Sequence, residues 1–128
     1  MGKNQNRILT WLLIALAGGT IANALWMLAA PFHWYQYLPA GVPDFGGYNR
    51  HFVRDLGCAF LTVGVALVEA ARSPARRRLL AAFALLFFGA HALVHVFDTL
   101  SGHVAMHHFA TDLPLTYLPV AILAAVIK

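Results

Sequence analysis

The chain has 128 residues, 60% of them hydrophobic and only 11% charged, with a mean hydropathy of +0.67. Soluble domains carry about a quarter of their residues as Asp, Glu, Lys and Arg, so this composition excludes the ordinary soluble class and points to one all-α membrane domain. The net charge of +4 does not mark a nucleic-acid binder, because the basic residues stand at the ends of apolar runs rather than over one polar face.

The first apolar run is Ile8–Ala30, interrupted only by Thr10, Thr20 and Asn23 and closed by Pro31. Lys3, Arg7 and Ala22-Asn23-Ala24 imitate a secretory signal with its cleavage site. The apolar stretch nevertheless continues through Leu25–Ala30, longer than a usual signal core, and a retained span is expected. The segment Phe32–Asn49 is rich in aromatics, proline and glycine. Trp34, Tyr35 and Tyr37 are expected at the headgroup layer, with room for a short amphipathic helix. A second run covers residues 50–71, with Asn49 as its N-cap. The third, Leu79–Leu100, follows a turn at Ser73–Pro74. The fourth, Leu113–Ile127, covers only about 22 Å at 1.5 Å per residue and is short for a span.

Charge placement supports four spans. Lys3, Arg7, Arg72, Arg76, Arg77, Arg78 and Lys128 fall on one side, and only Arg50 and Arg54 on the other. The positive-inside rule then predicts a multi-pass protein of a bacterial inner membrane, a transmembrane four-helix bundle with both termini cytoplasmic. Cys58 is the single cysteine, which excludes an intrachain disulfide and a thiolate cage, and is expected to be a small packing residue. Glu69 is expected to pair with Arg72 at the cytoplasmic headgroups.

Ionisable groups inside apolar spans are costly and tend to face a bundle interior. His91, His95 and Asp98 share one helical face, as do His51 and Asp55. Asn23, Asp55, His91 and His95 lie about 6–13 Å below the outer ends of three different spans. The candidate ligand-binding set is therefore Asn23, His51, Arg54, Asp55, His91, His95 and Asp98. Small residues in the second span (Gly57, Cys58, Ala59, Gly64, Ala66) allow close helix approach or room for a flat ligand.

Three chemistries fit this layer. A transition metal ion could be shared by His91 and His95, with Asp55, His51 or Asp98 completing the shell. The zincin pattern is not met, since Ala92 rather than Glu follows His91. Haem is a weaker alternative, with His51 facing His91 or His95. In the third reading His–Asp and Arg–Asp pairs, with Arg50 and Arg54 as cations, only lock the helices together. His103, His107 and His108 are read as a solvated loop or interfacial helix, with a second or entry site as the alternative.

Asn49-Arg50-His51-Phe52-Val53-Arg54-Asp55-Leu56-Gly57, followed by Leu61 and Gly64, resembles a motif of small bacterial four-span membrane proteins of DoxX-like architecture. In those proteins an Asn/Arg and a Gly recur at the head of the second helix. The resemblance implies a four-span layout rather than an activity.

The expected function is binding of a metal ion or a small polar or quinone-like ligand at an outer-leaflet His/Asp site, with redox or proton-transfer chemistry. The alternative is a non-enzymatic small membrane subunit or interaction module. The lipid bilayer is the expected partner, with a homo-oligomer or larger membrane complex possible and no nucleic acid. A transporter is a weaker option, since no inverted repeat is evident. No nucleotide loop or nucleophile elbow occurs.

Overall fold

The computed structural model describes residues 3–128; the side chain of Lys3, one of the cations flanking the first span, lies outside the described groups. Helix α1 spans Lys3–Ala29 and α2 Pro31–Tyr37, with a 3-10 turn at Val42–Phe45. Then come α3 (Arg50–Arg72), α4 (Pro74–Leu100), α5 (His108–Thr111), a π turn (Leu113–Tyr117) and α6 (Leu118–Ile127). Among the described residues there is no strand.

At 1.5 Å per residue α1 and α4 are about 40 Å long and α3 about 35 Å, against a hydrocarbon layer of about 30 Å. These three are long and apolar enough to cross a membrane. The fourth apolar run is helical over the expected Leu113–Ile127 but falls below spanning length. Pro114 and Pro119 lack the N–H that a regular turn requires, and the chain widens between them into the π turn.

The buried positions recur with alternating steps of four and three. In α1 they are Leu13, Ala17, Thr20, Ala24 and Met27; in α3, Val53, Gly57, Phe60, Gly64, Leu67 and Ala71, with Ala70 buried beside the last where α4 turns back. That spacing keeps one seam facing a neighbour, as in knobs-into-holes packing. α1 packs most closely on α3, α3 on α4, and α4 on α6, whereas α1 and α6 barely touch. Small residues set the α1–α3 approach: a Cβ on Gly64 would lie 2.6 Å from Ile21 Cγ1, and one on Gly57 3.1 Å from Met27 Cβ. The small-residue face of α3 is thus filled by α1, leaving no slot there for a flat ligand. Gly64→Ala is expected to cost about 1–3 kcal/mol by overpacking, seen as a lower unfolding midpoint in detergent. Gly89→Ala, whose added methyl meets nothing within 4 Å, should leave that midpoint unlowered.

Several local expectations change. Asn49 does cap α3, its Oδ1 accepting from Phe52 N–H at 3.0 Å. α4 starts at Pro74 rather than Leu79, because Ser73 alone turns the chain and proline suits the first helical position. This places Arg77 inside the fold. It is buried, and its guanidinium donates to Ala70 O (3.1 Å), Ala71 O (3.2 Å) and Thr10 Oγ1 (2.9 Å). Carbonyls at the end of α3, which have no partner within the helix, are satisfied this way. Glu69 pairs with Arg76 at 2.9 Å rather than with Arg72, since α4's first turn comes back past it. Cys58 is exposed on the outer side of α3, not a packing residue. Trp34 is buried rather than at a headgroup surface, because Nε1 donates to Asn23 Oδ1 at 2.8 Å and folds α2 over the helix ends.

Candidate functional site

The C-terminal end of α4 carries His91, His95 and Asp98. The imidazoles of His91 and His95 lie with ring centroids 4.6 Å apart, and His91 is flanked by Phe60 and Phe87. His95 Nδ1 is 2.7 Å from Asp112 Oδ2. Asp112 is completely buried, and the His95 side chain is only 14% exposed. A buried carboxylate is tolerated when paired and hydrogen-bonded, and at this separation the pair is a charge-assisted bond.

Local structure aims Asp112 inward. The loop after α4 reverses at Gly102, whose φ of +78 suits glycine. α5 then makes a single turn, and Asp112 N–H donates to His108 O at 2.9 Å. Asp112 O in turn accepts from Thr116 N–H at 2.8 Å, locking the start of the π turn. The i,i+4 spacing of His108 and Asp112 places both on one face, with His108 Nδ1 3.9 Å from Asp112 Oδ1. His108 Nε2 faces Asp44 Oδ2 at 3.1 Å. Phe45 packs against both His95 and His108, with centroids 4.7 and 4.8 Å away. Carboxylates and imidazoles therefore alternate through Asp44, His108, Asp112 and His95, and His91 follows.

This row ends at a cavity of about 630 Å³ between α1, α3, α4 and α6. His91, His95 and Asp98 line it, as does Asn23, while most of its wall is apolar, including Leu16, Phe60, Phe88 and Ile122. Trp34, Leu38 and Phe45 roof one end. Where α1 and α6 barely meet, Leu12, Ala15 and Gly19 face the cavity opposite Leu115 and Leu118, and all five are exposed. The cavity is thus open sideways, along an apolar slot. With Nδ1 engaged by Asp112, Nε2 of His95 is the nitrogen left for a ligand; it can accept from a hydroxyl or, once protonated, donate to a carbonyl.

The candidate residues divide. His91, His95, Asp98 and Asn23 meet at the cavity. His51 and Asp55 do not: they pair with each other at 3.2 Å with 88% and 64% of their side chains exposed, and Arg54 is exposed beside them. The reason is rotation about the helix axis, since Val53, Gly57 and Phe60 take the inward seam of α3. Asp98 faces His103 at 3.4 Å. The five-residue metal set His51, Asp55, His91, His95 and Asp98 is accordingly not assembled, nor is a haem-type pair of His51 with His91 or His95. Asn23 is bonded to Trp34 and does not bridge to α3 or α4. The residues unexpected from sequence are Asp112 and Asp44. His108-Phe-Ala-Thr-Asp112 was the available signal for the first; Asp44 carries no periodic signal at all.

Comparison with protein-family models, with curated proteins and with solved structures finds no match for this chain.

Proposed function

We propose that this is an integral membrane protein of a bacterial inner membrane, a four-helix bundle with both termini cytoplasmic, that binds a lipid-soluble molecule with a hydrogen-bonding head. A quinone-like or phenolic compound is the class that fits. It enters from the bilayer between α1 and α6 and places its head against His95. The observation carrying this reading is a wholly buried Asp112, 2.7 Å from His95, at the end of an otherwise apolar cavity of about 630 Å³. Ligand sites commonly have that volume and that balance of apolar wall and few polar groups. Asp112 fixes the tautomer and tilt of His95, which then exchanges a proton with the ligand head. The distribution of Lys and Arg supports the orientation.

Trp34 lines the cavity and reports occupancy. Titrating the detergent-purified protein with a short-tailed benzoquinone should quench tryptophan fluorescence saturably. His95→Gln should weaken binding at least tenfold, equivalent to about 1.4 kcal/mol, without loss of helical circular dichroism. A linear, non-saturating quench, identical in wild type and variant, would overturn the reading. The second reading, a module whose polar layer only locks helices, draws on the Arg77 contacts, which hold α1, α3 and α4 together away from the cavity, and on the Asn23–Trp34 bond, which ties α2 to α1.

A further inference from the structure

A separate cluster sits outside the cavity, on the loops that roof it. Asp44, His107 and His108 each offer one ligand atom, and these atoms lie within 4.8 Å of one another. We infer that Asp44, His107 and His108 form a binding site for a zinc-class divalent transition ion, with Asp112 as the carboxylate that orients His108 from behind.

Four observations converge. First, His108 Nε2 and Asp44 Oδ2 are already 3.1 Å apart, close to the roughly 3.3 Å that two ligands about 2.0–2.1 Å from a tetrahedral ion would show. Second, the site is built into the backbone. Gly41, at φ +67, folds the Asp44 turn so tightly onto His108 that a Cβ there would stand 3.2 Å from His108 Cε1 and 3.3 Å from Asp44 Oδ2. Third, Asp112 Oδ1 is buried and has no hydrogen-bond partner. Such orphans are rare in native interiors, and this one is 3.9 Å from His108 Nδ1. An ion on Nε2 confines the ring proton to Nδ1, whose nearest acceptor is Thr111 Oγ1 at 3.4 Å; a small turn of the ring brings that N–H onto Asp112 Oδ1 and gives the carboxylate–histidine–metal arrangement. Fourth, mobility is placed where closure needs it. His108 is 1% exposed and held edge-on by Phe45, whereas Asp44 and His107 are exposed and can swing the remaining distance.

Two imidazoles and one carboxylate suit Zn²⁺ and similar ions over Ca²⁺ or Mg²⁺, which prefer all-oxygen shells. Three protein ligands leave a coordination position for water or a small anion. The site does not depend on what occupies the cavity.

The test is calorimetric titration of Zn²⁺ into tag-free, chelator-stripped protein in detergent. One ion per chain is expected. Asp44→Asn and His107→Gln, both at exposed positions that leave the core untouched, should each weaken binding at least tenfold. Asp112→Asn should keep the stoichiometry of one and lose about 10–100-fold in affinity. His103→Gln, an exposed histidine of the same loop, should bind as wild type does, and Mg²⁺ should give no heat of binding. Wild-type affinity in both Asp44→Asn and His107→Gln would overturn the assignment, as would equal losses in His103→Gln and His107→Gln, which would mean adventitious binding by surface imidazoles.

Discussion

Replacing His95 with leucine should destabilise the protein by about 3–5 kcal/mol, because it takes from the buried carboxylate of Asp112 its side-chain hydrogen bond and leaves only His108 Nδ1, 3.9 Å away, facing it. Removing one member of a buried charge pair is costly chiefly through the charge left behind, and Asp112 has no exposed surface through which water could compensate. Its other oxygen already lacks a hydrogen bond. The decisive comparison is the double variant His95→Leu/Asp112→Asn. A neutral amide carries a much smaller desolvation penalty than a carboxylate, so the double variant should recover about 2 kcal/mol or more relative to His95→Leu alone. Reversible unfolding in mixed micelles gives both numbers. If the two substitutions instead add, the loss at position 95 reflects packing against Phe45 and His91 rather than an orphaned charge. The pair would then have no special standing as the polar end of the cavity.

The second large effect belongs to Arg77, at the opposite end of the molecule. Arg77→Ala should cost about 2–4 kcal/mol. Hydrogen bonds from a charged donor contribute about 1.5–3 kcal/mol, and the substitution frees two carbonyls at the end of α3 and Thr10 Oγ1 on α1 at once. Lysine retains the charge but not the planar fork that reaches several acceptors, so Arg77→Lys should recover only part of the loss. Exposed Arg78 provides the comparison, and Arg78→Ala should shift the midpoint by less than about 0.5 kcal/mol. Equal effects at 77 and 78 would show that charge in this turn matters and the buried contacts do not. The result also bears on topology. Arg77 belongs to the cationic loop that argues for a cytoplasmic end, yet its side chain is used inside the fold, so fewer free cations face that surface than the sequence count suggests.

What the amino-acid order alone determined is the set of elements and their local faces. Long apolar runs make α1, α3 and α4, Asn49 starts α3 with its own side chain, and 3.6-residue periodicity puts His91, His95 and Asp98 together on α4. Those features need only neighbours within one or two turns. Which face turns inward was decided by packing. The glycines of α3 let α1 close on that seam, and this rotated His51, Arg54 and Asp55 away from the cavity although their spacing matched that of the α4 pair. The partners of His95 and His108 were decided by tertiary structure too. Asp112 and Asp44 lie on short loop elements, 17 and 64 residues from the histidines they meet. No local repeat encodes such a meeting; it exists only once the folded loops have been laid across the ends of the helices.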